Sequence, residues 1–403
     1  MGLSKENLDS DSQDLSTLLA RSHELGRGIV SDKAVAYDMG NEFPAEVFEE
    51  LGNAGLLRTA VPVSAGGYGL GVTNGRPLEQ WQITRNLAYG DLSVARCYEG
   101  HVNAVEMVNS MAHGESREEI LRRVAQEGVT LVSWGSEQIK STAGSHLERM
   151  LGSSVARRVE GGYELSGTKQ FATSAGGVSH ALVTVRLDDD SVASSNLEQF
   201  GIMFVDLDQP GRIEIDRSWW NSMGMRATAS HKVSFSDAFV PAEHYLFTIK
   251  DYLDDNFQAK ASPHFATSFS GALRAVLDFT VGYAEKRQKS GDPIIQQHLG
   301  QMSLSLHALE AFIDSAGQSW IDGEEDSAIR SAEVRAFAEQ MVNAILEHSH
   351  RASGATALLD DYPLGRMTRD LLTYIRHDNI DALIGAAGRA ALGLEYGANF
   401  GDN

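Results

Sequence analysis

Apolar residues in the first third of the chain recur at three- and four-residue spacing, as in "PAEVFEELGNAGLL" (44–57) and "GHVNAVEMVNSMA" (100–112). That period predicts amphipathic helices from about Leu15 to Gln126. Between them lies "VPVSAGGYGLGVTNG" (61–75), whose glycines mark a loop. It follows no clear strand and fits neither of the glycine-rich phosphate motifs, so a nucleotide-phosphate cradle is not expected there.

From about Val129 to Pro241 the period becomes two, in "TLVSW", "YELSGTKQF", "ALVTVRL", "FGIMFVDL", "RIEIDRS" and "HKVSFSDAFV". Short strands at this density predict a mostly antiparallel barrel or sandwich. From Asp254 onward helical periodicity returns in long runs, 270–287, 294–316 and 328–352, which suggest a four-helix-type bundle. The predicted organisation is α+β and multidomain: a frayed tail at 1–14, a helical domain at 15–128, a β domain at 129–242 and a helical bundle at 243–403. No internal repeat interrupts it.

Composition narrows the function. The 403 residues are 42% apolar and 22% charged, typical of a folded soluble chain. No stretch approaches the roughly 18 uninterrupted apolar residues of a membrane span. The polar, acidic opening "MGLSKENLDSDSQDLS" carries no targeting pattern, which predicts a cytoplasmic protein. With 34 basic against 55 acidic residues the net charge is −21, the wrong sign for nucleic-acid binding. Cys97 is the single cysteine, so an internal disulfide or a cysteine-based metal cluster is excluded. His348 and His350 point to different faces of a predicted helix, a poor metal-ligand geometry, and no metal site is expected. Ser166 and Lys169 satisfy Ser-x-x-Lys but lie in a strand, where the acyl-transfer motif does not function. Trp219 and Trp220 read as packing at the edge of the β domain.

The α–β–α order, together with the strings at its joints, resembles the acyl-CoA dehydrogenase superfamily of FAD enzymes. "FPAEVFEELGNAGLLRTAVPVSAGGYGLG" (43–71) is similar to the family's Phe-Pro opening and glycine loop. Ser136-Glu137-Gln138 resembles the Thr-Glu-Pro turn at the flavin, and Ala143-Gly144-Ser145 the Ala-Gly-Ser that follows. "GTKQFATSAG", "GMRATASHKVSFSDAFVP", "YAEKRQKSGDPI" and "DYPLGRMTRD" resemble four further family segments. The resemblance implies FAD as cofactor. It places Phe171 as an aromatic against the isoalloxazine, the Thr173 hydroxyl near the reactive nitrogen, and small residues 172–176 leaving room for the ring. The same resemblance implies that Ser136 addresses the pyrimidine side and that Arg287 reaches the FAD pyrophosphate of a neighbouring subunit in a homotetramer. A guanidinium suits that last task because its planar fork meets phosphate oxygens bidentately.

In that family a carboxylate takes the α-proton of an acyl thioester while hydride passes to flavin. Its usual position, eight residues past the Arg-Asp pair, falls on Asp378, and the alternative position of some branches falls on Ala261. An aspartate is one methylene short, which draws the base back by about 1 Å, and misplacements of that size cost up to about a hundredfold. Ser145 and His101 are the expected substrate contacts. The match also breaks nearby: the glycine loop before Tyr362-Pro363 is degraded, His146 replaces an Asp, and Asn379-Ile380 replaces Gly-Thr. A related branch, monooxygenases using reduced flavin and O₂, lacks the carboxylate and carries a histidine near this point. His377 stands there, and an imidazole moves protons near neutral pH. Three readings follow. The leading one is α,β-desaturation of an acyl thioester, on CoA or a carrier protein, with Asp378 as base and a separate electron-transfer partner. The others are a monooxygenase of another small molecule with His377 as acid or base, and a non-catalytic binding relative.

Overall fold

The computed structural model describes residues 5–137, 154–188 and 197–394. The first domain contains α1 (Lys5–Leu25), α2 (Ser31–Gly40), α3 (Ala45–Asn53), α4 (Pro77–Gly90), α5 (Leu92–Met111) and α6 (Gly114–Glu127). Helix α1 begins at Lys5, inside the stretch 1–14 expected to form a tail. Its later turns are anchored by Leu18, buried in the core, and each further residue added to an existing helix gains one backbone hydrogen bond without a new nucleation step. Asp91 separates α4 from α5 and caps the latter, its carboxylate accepting from Val94 N–H at 2.9 Å.

The glycine-rich loop between α3 and α4 closes over a side chain of its own chain. Thr73 N–H donates to Glu106 Oε1 at 2.9 Å, and a Cβ on Gly71 would lie 2.4 Å from that same oxygen. Glu106 is buried, and burial pushes its carboxyl up to about 7.

The middle domain is an eight-stranded sheet of β1 (Ser133–Trp134), β2 (Val155–Val159), β3 (Gly162–Ala172), β4 (His180–Asp188), β5 (Phe200–Asp206), β6 (Ile213–Asp216), β7 (His231–Pro241) and β8 (Tyr245–Thr248). Pairing runs β6-β7-β3-β2-β4-β5-β8, with β1 beside β4. The β1/β4 and β2/β4 pairs are parallel and the others antiparallel. Among the described residues β6 and β8 end the path without pairing to each other. Leu165, Val183, Val205, Val233 and Phe235 from four of its strands share one buried cluster.

The bundle follows, with α7 (Ile249–Asp254), α8 (Phe257–Lys286), α9 (Pro293–Asp322), α10 (Ser327–Ser353), α11 (Leu364–Tyr374) and α12 (Ile380–Ala391). Helix α8 starts at Phe257 instead of 270 and runs through Pro263. An interior proline costs about 3 kcal/mol. Here Phe257, Ala259 and Ala261 before it and Phe269 after it are all buried, and that packing outweighs the loss.

Side chains stitch the domains together. Asn41 Nδ2 donates to Trp220 O at 2.7 Å. Arg366 bridges Asp91 of the first domain and Asp370 of its own helix, and Asp370 in turn accepts from Met225 N–H of the middle domain at 2.6 Å.

Candidate active site

Strand β3 ends in a bulge between Lys169 and Ala172, and the turn "FATSAGG" follows. It meets a second turn, 225–230, through Ser174 N–H to Thr228 O at 2.8 Å and the Thr173 and Ser230 hydroxyls at 3.1 Å. Eight described non-glycine residues have positive φ, and four of them lie in these two turns: Phe171, Ser174, Met225 and Ala229. A bulky aromatic such as Phe171 at φ 52° is a steric outlier, and such strain concentrates at functional sites.

The Phe171 side chain is 57% exposed, and its ring stands edge-on to Trp219 with centroids 4.9 Å apart. Trp219 and Trp220 therefore do more than pack at a domain edge; with Phe171 they form an aromatic wall. The small residues beside Phe171 do not open space as expected. Ala172, Ser174 and Ala175 are fully buried, and a Cβ on Gly177 would lie 2.1 Å from the ring of Phe43. Small side chains here let the first domain approach the turn. Thr173 is also buried, with Trp134 Nε1 donating to its carbonyl at 3.0 Å.

Ser136 follows β1, exposed, with its carbonyl accepting from Gln170 N–H at 2.9 Å. The next residue, Glu137, forms a buried ion pair with Lys169 and accepts from Ser154 N–H through both oxygens. Burial drives the Lys169 ammonium down, and Glu137 opposes that. Ser136 and Phe171 are thus held on one strand edge by a clamp between their neighbours. Opposite Ala172 lies His231, buried, with neither ring nitrogen finding a hydrogen-bond partner among the described residues.

Helix α5 joins this turn to a second cluster. Ser93 and Cys97, one turn apart, contact Met225 Sδ and Thr228 O, each at 3.8 Å. Arg96 and Glu99 occupy the adjoining face. Glu99, fully buried, accepts from Arg96 Nη1 at 2.9 Å, Tyr374 Oη at 2.8 Å and Ser268 Oγ at 2.5 Å. Burial pushes the Glu99 carboxyl up against the pull of Arg96. Arg96 Nη2 lies 3.3 Å from His377 Nε2, His377 Nδ1 lies 3.0 Å from Asp378 Oδ1, and Asp378 Oδ2 lies 2.7 Å from Arg335 Nε. Phe265 and Tyr374 flank the His377 ring at 5.2 and 5.7 Å.

Asp378 is thereby held at both oxygens. Burial alone would raise its carboxyl, but His377 and Arg335 beside it hold it well below the usual carboxylate range. A base that removes a carbon-bound proton needs the opposite shift.

The remaining expected residues fall elsewhere. His101 is buried, with Nε2 2.6 Å from Leu57 O and Nδ1 accepting from Leu131 N–H at 3.0 Å. Both of its ring nitrogens are engaged by backbone groups, which leaves neither free for the substrate contact expected of it. Arg287 is exposed at the end of α8, donating to Tyr283 Oη at 3.1 Å. Ser145 and His146 lie outside the described residues. Arg96, Glu99, Ser268, Tyr374 and Arg335 were not anticipated. The one available signal was an arginine inside the apolar rhythm of "SAEVRAFAEQM".

With three helical and sheet domains in this order around such a site, the chain belongs to the acyl-CoA dehydrogenase family. Residues 14–128 match its N-terminal domain, 137–238 its middle domain and 264–382 its C-terminal domain. It is 25% identical over 365 residues to a mitochondrial isovaleryl-CoA dehydrogenase of Oryza sativa subsp. japonica, covering 86% of this chain and 83% of that one. It is 27% identical over 358 residues to the benzylmalonyl-CoA dehydrogenase of Aromatoleum aromaticum, covering 85% and 88%. Among solved structures, the dibenzothiophene monooxygenase (TdsC) of Paenibacillus sp. A11-2, in complex with FMN and indole, superimposes with a TM-score of 0.83 at 19% identity, over 95% of this chain and 98% of that one. A glutaryl-coenzyme A dehydrogenase in complex with glutaryl-CoA gives 0.81 at 18%, over 100% and 99%. At such identities the structures speak for the fold.

Proposed function

We propose that the chain is a flavin-dependent oxidoreductase whose acid–base residue is His377, acting as a monooxygenase with reduced flavin and O₂. The observation that carries this reading is that Asp378 is held between His377 and Arg335, which together take away the basicity that desaturation demands. Asp378 instead serves the imidazole, accepting its Nδ1–H and leaving the lone pair of Nε2 to take up a proton.

The residues suit a flavin. Phe171 and Trp219 offer an apolar face to a flat ring, the strained turn holds that face outward, and the unpaired His231 nitrogens and the exposed Ser136 provide polar partners nearby. When bound, a flavin supplies the two-electron chemistry and, once reduced, the reaction with O₂. FAD is the form the sequence resemblance implies, while the Paenibacillus monooxygenase was solved with FMN. The exposed Arg287 fits a role toward a neighbouring subunit, and the expected homotetramer is proposed on that ground.

A second reading, desaturation of an acyl-CoA with electrons passed to a flavoprotein partner, is favoured by the names of the relatives in sequence, which are dehydrogenases. One experiment separates them. Protein loaded with oxidised FAD is mixed anaerobically with acyl-CoA thioesters, and reduced enzyme is given ¹⁸O₂ with indole or dibenzothiophene as probes. The monooxygenase reading expects no bleaching by thioesters, ¹⁸O in a probe, and loss of that label in His377→Ala with flavin still bound. Bleaching that Asp378→Ala abolishes would establish the dehydrogenase. Failure to bind either flavin would leave the third reading, a non-catalytic relative.

A further inference from the structure

We propose that Arg96 is a positioning residue for His377, fixing the imidazole with Nδ1 protonated and Nε2 bare, and that Glu99 fixes Arg96 in turn. The inference rests on the reading of His377 as the acid–base group.

The direction of each hydrogen bond follows from chemistry. A guanidinium only donates, so at 3.3 Å from Arg96 Nη2 the His377 Nε2 accepts. An ionised carboxylate only accepts, so Asp378 Oδ1 takes the Nδ1 proton at 3.0 Å. Asp378 is kept ionised by Arg335 at its other oxygen. Donors and acceptors therefore run one way, from Arg96 through the imidazole into Asp378, and one neutral tautomer satisfies them.

Arg96 is itself immobilised. Its Nη1 is bound to Glu99, and its guanidinium lies 5.5 Å from the ring centroids of both Phe265 and Tyr374. Tyr374 and Ser268 also donate to Glu99, so α5, α8 and α11 all converge on the one carboxylate that aims Arg96. A consequence follows for proton traffic: the lone pair that takes up a proton lies under an Arg96 N–H, and uptake requires that N–H to withdraw.

The test uses flavin-free protein near neutral pH. Diethyl pyrocarbonate attacks an imidazole through its bare nitrogen, and peptide mass spectrometry reads the rate at each histidine. The exposed His113 and His307 serve as internal references. Covered by Arg96, His377 should react several-fold more slowly than they do. Arg96→Met keeps a stem against Phe265 and Tyr374 but removes the donor, and should bring His377 close to the reference rate. Glu99→Gln should give a smaller rise. Arg96→Lys, a fallback should Arg96→Met fail to fold, has one ammonium for two partners and should fall between wild type and Arg96→Met. His377 reacting as fast as His113 in the wild type would overturn the inference. So would an unchanged rate in whichever Arg96 variant folds, judged by its circular dichroism and reference histidines. Failure of the underlying reading appears elsewhere, as unaltered oxygenation in His377→Ala, and leaves the modification rates untouched.

Discussion

Replacing Arg335 with methionine probes the contact on which the choice of chemistry turns. Arg335 is fully buried on α10, Asp378 is 15% exposed, and their closest atoms are 2.7 Å apart. The same guanidinium reaches Ile375 O at 3.4 Å and lies 4.9 Å from the Phe269 ring. Removing one member of a buried pair costs about 3–5 kcal/mol because the other charge is stranded. His377 still faces Asp378, so the lower end, about 3 kcal/mol, is expected. Arg335→Met combined with Asp378→Leu removes both charges and should cost about 1 kcal/mol or less, about 2 kcal/mol less than Arg335→Met alone. The assay is urea unfolding at pH 7, comparing the transition that reports the bundle, since a chain of this size unfolds in steps. The sign with pH is fixed by the depressed carboxyl of Asp378. The pair stabilises fully above the unfolded carboxyl value near 4, and its contribution fades as the pH falls toward the folded value. The penalty of Arg335→Met should therefore shrink in acid. Additive single and double variants, or a penalty under about 1 kcal/mol at pH 7, would refute the argument.

Three other outcomes follow. Phe171→Gly should melt higher than Phe171→Ala, by about 1 kcal/mol in stability, because only glycine accepts φ 52° without strain; both should weaken flavin binding, and equal melting would remove the strain argument. Gly177→Ala places a Cβ about 2 Å from the Phe43 ring and should cost about 1–3 kcal/mol, largely recovered by adding Phe43→Leu, as differential scanning fluorimetry will show. Burial drives His180 down to about 4 against an unfolded value near 6.5, so the unfolded chain binds more protons between those values. Stability should fall as the pH drops from about 6.5 to 4, and His180→Asn should flatten that slope; an unchanged slope would assign it to another group.

The order of domains was legible because each keeps one hydrophobic period for more than a hundred residues, and because helix ends carry local chemistry. Asp292 and Pro293 open α9, and Gly323 closes it in the left-handed conformation. What periodicity underestimated was length: the run expected from 270 begins at Phe257, and the helix passes through Pro263 because both sides of the proline are buried. Sequence reasoning reached Phe171, Ser136 and His377 because each lies in a contiguous string that carries the resemblance. Arg96 and His377 are 281 positions apart, and Arg335 and Asp378 are 43. No periodicity encodes such a meeting, so Asp378 was located by counting while the partner that sets its acidity stayed hidden. His101 looked available for the converse reason, since its partners are backbone groups at Leu57 and Leu131, which carry no side-chain signature.

The stitches between domains also bear on how such a chain can be recombined. One buried cluster joins Val61, Ile83 and Val105 to Leu182, Ile202 and Phe204 of the sheet, and another joins Trp220 and Met225 to the bundle. A crossover at 128 or 242, the natural cut for a gene shuffler, would pair half of one such cluster with a stranger's half. It would also leave Asp370 without the Met225 amide. Chimaeras within the family should thus survive by exchanging surface loops, and the three segments should tolerate exchange only as a set.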